Sequence, residues 1–413
     1  MGSIASLVLT WHRLHPPLGG AALRNWQNVR ALAELGPVDV VSVGPGEGGP
    51  PPPPVRRWVH FDLSRLPSRR GLPGLLRRSW WVRPRAHPWA MALWRDEIIE
   101  AVTKMARTSH SELAVLEELW FHPYCALTRE LGCLTVFDAH NVESRLRLEI
   151  AAPAAGLVDR LRTKRLAQRV ATLERDLVSR VDQTWCCSET DARQLGGDAS
   201  RPHSMRVIPN TVDTGYYGPV RDGSIAPACD AGGRGPVIVF VGAFSYGPNE
   251  MAARVLIHEI LPALERERRD VSLLLVGRDP TPWMLEEARK RRGVRVTGSV
   301  PDVRPYLAEA SVVAVPLTHG GGTRLKILEA FAALRPVVST PKGAEGLAAI
   351  DGVHLHLRAI DEFPETVLGL LSDPTAAAGL THRALEFVEQ NYSWPVAAGR
   401  IRSAVAELVQ GSV

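Results

Sequence analysis

Short runs of apolar residues alternate along this chain with longer stretches in which apolar positions recur every three or four residues. The runs are SLVLT (6–10), VDVVSVG (38–44), LAVLEEL (113–119), LTVFDAH (134–140), TWCCS (184–188), MRVIPN (205–210), VIVFVG (237–242), SLLLVG (272–277), VRVTG (294–298), VVAVPL (312–317) and PVVST (336–340). Apolar residues in unbroken succession suit strands covered on both faces, as in a parallel sheet. Between the runs the spacing is helical: Met251, Val255, Leu256, Leu261 and Leu264 share one helix face. This alternation predicts an α/β fold of two Rossmann-like, doubly wound domains, with ligands at the carboxyl ends of the strands. The weak stretch 218–236 reads as a linker between a domain at 1–217 and another at 237–391.

Composition narrows the class. With 413 residues, 45% hydrophobic and 23% charged, the chain has the balance of a soluble globular protein, not of a disordered, collagenous or disulfide-stapled one. No apolar run reaches the ~18 residues of a membrane span. The opening SIASLVLT ends at Trp11-His12-Arg13 and reads as a strand, not a signal peptide. Five cysteines (125, 133, 186, 187, 229) without a C-x-x-C pair suggest free thiols in a reducing cytoplasm and no structural zinc.

The net charge of +5 is unevenly divided. Residues 1–210 hold 28 Lys and Arg against 21 Asp and Glu, whereas 211–413 hold 21 against 23. Residues 56–85 alone contain nine Arg and three Trp against one acid, Asp62. Two readings stand for that segment: a site for an anionic or lipid-linked acceptor or for peripheral contact with a membrane surface, and a solvated Arg-rich surface. Nucleic acid is not expected, because no recognised binding module accompanies the charge.

The densest chemistry lies in THGGGTRLKILEAFAALRPVVST (318–340), which follows a buried run and opens a helix near Thr323. Consecutive glycines let a backbone approach a ligand, and the helix N-terminus behind them favours a phosphate or diphosphate. Arg324 and Lys326 add positive charge there, and Glu329 lies about right to accept from ribose hydroxyls. A second candidate is His140 in DAHNVES, just after a run, with Asp138 placed to orient it and Asn141 and Glu143 placed to cap the next helix. Glu117 and Glu118 end another run and read as structural or solvated; His354 and His356 read as ordinary.

The order of these motifs resembles the retaining GT-B glycosyltransferases of family four. It runs from Gly19-Gly20 and RNWQNVRALAELG through DAHNVES, CCSETDARQL, VIPNTVDTGYY, VGAFSYGPNE, LLLVGRDP, VTGSVPDVRPYL and the glycine-rich segment to YSWPVAAGRI. The resemblance implies transfer of a sugar from a nucleoside diphosphate-sugar to a small-molecule, glycan or lipid-linked acceptor, with retention and without a metal or bound cofactor. It implies that Glu329 holds the ribose and that Gly321, Gly322 and Thr323 offer N–H groups to the diphosphate. Val300, Gly277 and Arg278 would line the nucleotide pocket, Gly19 and Gly20 would approach the donor, and His140 would assist at the sugar. Arg324 and Lys326 would neutralise the leaving group, and a helix after Tyr392 (392–413) would complete the first domain. Two departures stand out: Gly321 occupies the place of the first of two glutamates eight residues apart, and VGAFSYGPNE lacks the usual Arg and Lys. Competing readings are a nucleotide-sugar epimerase or phosphorylase on the same fold, and a non-catalytic nucleotide-sugar-binding subunit. A dehydrogenase is disfavoured by WHRLHPPLGG in place of G-x-G-x-x-G.

Overall fold

The computed structural model describes residues 2–16, 19–65, 88–151, 156–196, 204–228, 235–322 and 324–411. They form two compact units, Met1–Asn210 with Pro395–Val413, and Thr211–Trp394.

The first unit is built on a seven-stranded parallel sheet in the order β3-β2-β1-β4-β5-β6-β7. The strands are β1 (Ser6–Thr10), β2 (Val38–Val43), β3 (Arg57–Phe61), β4 (Leu113–Glu117), β5 (Leu134–Ala139), β6 (Gln183–Cys186) and β7 (Met205–Val207). Every residue of β1, β2 and β4 is buried, as unbroken apolar runs require of strands sandwiched between helices. The chain order reverses between β1 and β4, which makes the carboxyl ends of these strands the place for a ligand.

The strand β3 has no apolar run behind it. It forms at the sheet edge because Asp39 of β2, fully buried, is met by both Arg56 and Arg57, and Trp58 Nε1 donates to Ser42 Oγ at 2.6 Å. At its described end, Arg65 pairs with Glu47 at 2.8 Å. The first residues of the 56–85 segment therefore hold a sheet together; the remainder lies outside the described residues. No helix among the described residues is long and apolar enough to cross a membrane. Cys125, Cys133, Cys186 and Cys187 are buried free thiols, and Cys229 lies outside the described residues.

The second unit carries a six-stranded parallel sheet, β10-β9-β8-β11-β12-β13. Its strands are β8 (Val237–Val241), β9 (Ser272–Val276), β10 (Val294–Val296), β11 (Val312–Val315), β12 (Val337–Ser339) and β13 (His356–Leu357). The order reverses between β8 and β11. The boundary differs from the 218–236 linker that composition suggests. Tyr217 and Val220 lie in the core of the second unit, Arg221 Nη1 donates to Ala332 O at 2.7 Å, and Ala228 N donates to Pro305 O at 3.0 Å. The chain passes between units at Asn210–Thr211 and returns in the helix Trp394–Gln410, whose Ala398, Ile401 and Val405 are buried.

Candidate active site

Each unit gathers one cluster of chemically capable side chains at the carboxyl ends of its central strands. In the first unit, Thr10, Glu117 and Asp138, from β1, β4 and β5, face the helix α1 (Gly20–Ala33). The helix is entered through Gly19, whose φ of 90° is one that glycine adopts without strain. Half of its buried residues are polar, Arg24, Asn25, Gln27 and Asn28, beside the apolar Ala22, Val29, Ala31 and Leu32. Arg24 is 1% exposed; its Nε and Nη2 donate to Asp138 Oδ2 and Oδ1 at 2.7 and 2.5 Å. Its Nη1 donates to Ile208 O at 2.8 Å and Asn210 Oδ1 at 2.7 Å. Asn28 Nδ2 donates to Asp138 Oδ2 at 2.8 Å and Glu117 Oε1 at 3.1 Å. A bidentate guanidinium–carboxylate pair with its remaining donors satisfied is the geometry in which a charge can stay buried.

His140 is the next member. Its Nε2 lies 3.0 Å from Glu117 Oε2 and 3.3 Å from Asp138 Oδ2. Burial alone would neutralise the ring, but hydrogen bonds to Asp138 and Glu117 and the charge of Glu118 push its pKa up to about 10. Burial and the charge of Asp138 push Glu117 up to about 8, while Asp138, despite its own burial, is held low by Arg24 and His140. The upward shift favours the imidazolium, which can donate a hydrogen bond or stabilise negative charge. Glu117, Asp138 and His140 are also the group, among the described residues, whose ligand atoms lie close enough for a metal ion, within 4.8 Å. Both oxygens of Asp138 already accept from Arg24, which makes the group an ion-pair network.

Glu118 adjoins this network in a strained backbone conformation, φ 73° and ψ 154°, a region populated almost only by glycine and costing on the order of 1–3 kcal/mol. Its Oε1 lies 3.2 Å from His12 Nε2 and 3.4 Å from His140 Nδ1. The helix Glu143–Ala151 is capped from a distance, Ser144 N donating to Glu174 Oε1 at 3.2 Å, and Glu143 is pushed up to about 7 by burial and the charge of Glu118.

In the second unit the cluster surrounds the glycine turn between β11 and the helix Leu325–Ala332. Gly320 and Gly322 have φ of 97° and 86°, and a Cβ at Gly320 would fall 2.6 Å from Tyr246 Oη. The N–H of Gly321 donates to Tyr246 Oη at 3.2 Å. Thr323 lies outside the described residues. Arg324 turns back into the protein: Nη2 donates to Gly320 O at 2.7 Å and Lys342 O at 3.3 Å, and Nη1 to Gly321 O at 3.0 Å. Its charge fastens the turn in this conformation.

Lys326 is placed differently. Its Nζ donates to Asn249 Oδ1 at 2.7 Å and sits 4.0 Å from the centre of the Phe240 ring. Burial and the charge of Arg324 push its pKa down to about 7. Glu329, one helical turn further, is pushed up by burial, against the Tyr217 hydroxyl hydrogen-bonded to it and the charge of Lys326. The ends of β8 and β9 close the cluster, since a Cβ at Gly242 would meet Asn249 Nδ2 at 2.8 Å and one at Gly277 would drive into the Gly242 carbonyl. Arg278 is exposed, with Nε 3.9 Å from Asp279 Oδ2, and Val300 packs half-buried on the core.

The structure thus brings together Gly277, Gly321, Gly322, Arg324, Lys326 and Glu329 in one unit, and places Gly19, Gly20 and His140 in the other. Residues without a role in the sequence reading, Arg24, Asn28, Tyr246 and Asn249, form the framework. The readable signal for the first two was a helix with polar residues at i and i+4 where an apolar stripe is expected.

Residues 235–373 match a family model described as Glycosyl transferases group 1, and residues 18–216 match one described as Glycosyltransferase Family 4. No curated protein sequence matches this one. Among solved structures, sucrose-phosphate synthase from Thermosynechococcus elongatus is similar over 98% of this chain and 99% of its own, with a TM-score of 0.71 at 18% identity. The α,α-trehalose 6-phosphate synthase of Burkholderia multivorans is similar over 100% of both chains, with a TM-score of 0.66 at 14% identity. HepE of Anabaena, solved with UDP and glucose, covers 97% of this chain and 99% of its own, with a TM-score of 0.64 at 15% identity. At these identities the likeness is one of fold, the GT-B arrangement of two parallel-sheet α/β domains.

Proposed function

The chain belongs to the group 1 glycosyltransferases, and from that premise we propose that it moves a sugar from a nucleoside diphosphate-sugar to an acceptor with retention of anomeric configuration. The observation that carries the donor reading is Lys326. It is a partly buried cation beside a glycine turn and a helix N-terminus, held by an amide and an aromatic face, and its pKa is depressed to about 7. An anion is what would restore its charge, and Glu329 lies one turn away for the ribose. The UDP held by HepE supports the donor class.

In this reading the diphosphate lies against Lys326 and the N-terminus of the helix Leu325–Ala332, with Gly321 and Gly322 in the turn before it. Arg324 acts as a positioning residue, keeping the turn open through the carbonyls of Gly320 and Gly321. Gly277 keeps the adjoining strand ends in close approach, and Arg278 and Val300 are assigned to the nucleoside. Gly19 and Gly20 are assigned to the donor, and His140 to the sugar, where an imidazolium stabilises charge developing on oxygen. The bond from the anomeric carbon to the leaving phosphate oxygen breaks, and the acceptor oxygen bonds that carbon on the same face. The acceptor's proton passes to the departing phosphate, so no protein base is needed, in keeping with a histidine that stays protonated. The charge on the departing diphosphate is met by Lys326 and helix N–H groups without a metal.

The test is a panel of UDP-, GDP- and dTDP-sugars scored by thermal stabilisation, followed by turnover in Glu329→Ala. One nucleotide class should stabilise the protein, and Glu329→Ala should weaken that donor at least tenfold with its melting temperature preserved. Wild-type donor affinity in the variant would remove Glu329 from the site.

A further inference from the structure

Two features of the first unit go beyond the donor reading: the backbone of Glu118 and the Nδ1 atom of His140. Glu118 occupies a conformation that nearly every other residue avoids, and it is held there by its N–H, which donates to Asp138 O at 3.0 Å. And His140, 7% exposed and a cation, has a buried Nδ1 that makes no hydrogen bond; Glu118 Oε1, at 3.4 Å, stands beyond good hydrogen-bonding distance. A buried ring nitrogen that meets a strained, partly exposed carboxylate (16% side-chain exposure) only at ion-pair distance, and makes no hydrogen bond among the described residues, is an arrangement with room for one more oxygen atom.

The surroundings describe what would bring it. Glu118 Oε1 is also 3.2 Å from Nε2 of the half-exposed His12. Trp11 adjoins His12, and its ring centre lies 6.1 Å from that of Trp89, which is 49% exposed and in turn edge-on to Trp120 at 5.0 Å. Arg147 lies over both of the latter rings, at 5.4 and 5.3 Å. A carboxylate that accepts, imidazoles that donate and aromatic faces alongside are complementary to a polyhydroxylated ring, whose hydroxyls need donors and acceptors together and whose C–H faces pack on indoles. A phosphate or carboxylate ligand would meet repulsion from the carboxylate of Glu118 instead.

We propose that Glu118 and His12 form a hydroxyl-binding subsite for a pyranose. Glu118 accepts from one ring hydroxyl, and His140 Nδ1–H and His12 donate to its neighbour. The subsite rests on the reading of the chain as acting on sugars, and it takes either the sugar being transferred or that of the acceptor. Binding relieves the unmet His140 donor, and the strained position supplies a carboxylate that glycine would lack.

The experiment compares wild type with Glu118→Gln, Glu118→Gly and His12→Ala. Two readouts are used: thermal stabilisation by UDP, GDP or dTDP alone, and steady-state transfer from the matching sugar nucleotide to methyl glycosides. The nucleoside diphosphates lack the transferable pyranose, so their stabilisation reports on the donor reading and should be equal in all four proteins. Expected for both Glu118 variants is a KM raised at least tenfold for one substrate only. A rise for the sugar nucleotide identifies the transferred sugar, and a rise for the glycoside identifies the acceptor. Glu118→Gly should also melt higher than wild type while losing the same affinity, a pairing that a structural role does not produce. Both KM values within twofold of wild type, or a fall in kcat alone accompanied by a lower melting temperature, would overturn the proposal.

Discussion

The two clusters treat buried charge in opposite ways. In the first unit Arg24, Asp138 and Nε2 of His140 satisfy one another, so the charges on that side are held in a fixed geometry. In the second, Arg324 is absorbed by backbone carbonyls, while Lys326 is left with an amide and a phenyl ring and a pKa near the ambient pH. The first arrangement suits a group that must keep its position and protonation state whatever binds. The second suits a group whose charge is to be completed by a ligand. A partly buried lysine that forms no ion pair among the described residues and feels Glu329 only at longer range is a group whose charge an anionic ligand would complete.

That contrast can be broken most sharply at Arg24. Replacing it by alanine strands Asp138 in the core and should destabilise the protein by about 3–5 kcal/mol, measured by urea unfolding. The double variant Arg24→Met with Asp138→Leu should recover much of the loss, because a matched apolar pair leaves no charge behind. A wild-type midpoint in the single variant would mean the pair is solvated. Lys326→Ala should do the reverse, leaving stability unchanged or higher while weakening the donor by tenfold or more.

The pH dependence sharpens the same difference. Free Lys326 loses its proton above about pH 7, and a bound diphosphate favours the protonated form, so donor binding takes up a proton. Donor dissociation constants should therefore rise with pH above 7, approaching about tenfold per unit, while His140, protonated to about 10, adds no slope in that range. Titration calorimetry in buffers of different ionisation heat would count the protons, and a flat profile between pH 7 and 9 would remove Lys326 from the anion site. Smallest is the effect of Tyr246→Phe, which deletes one hydrogen bond to the glycine turn and should cost about 0.5–1.5 kcal/mol of stability, read by thermal unfolding.

How much of this could be read from the residues follows from what each signal depends on. Eleven strands announce themselves as apolar runs, nine of them because they are largely buried on both faces and the two edge strands β7 and β10 in spite of partial exposure. The strand Arg57–Phe61 does not, since it is held by Arg56 and Arg57 meeting an aspartate on the neighbouring strand, a partner that local pattern cannot supply. The glycine turn was legible because three consecutive glycines before a helix leave few structural alternatives. The direction taken by Arg324 was not, because it depends on which carbonyls the folded turn offers. Arg24 was quoted within its motif yet carried no role: its significance lies in Asp138, more than a hundred residues away. Glu118 ends an apolar run like any loop residue, and only its backbone angles distinguish it.

The first unit is assembled from two separate stretches of chain, Met1–Asn210 and Pro395–Val413, while the second, Thr211–Trp394, is continuous. On the ribosome these are events at different times. At about 5–20 residues per second, roughly ten to forty seconds of synthesis separate Asn210 from the helix whose Ala404 carbonyl receives Gln183 Nε2. Throughout that interval the buried side of β6 and β7 awaits its cover, and the second unit can finish folding before the first.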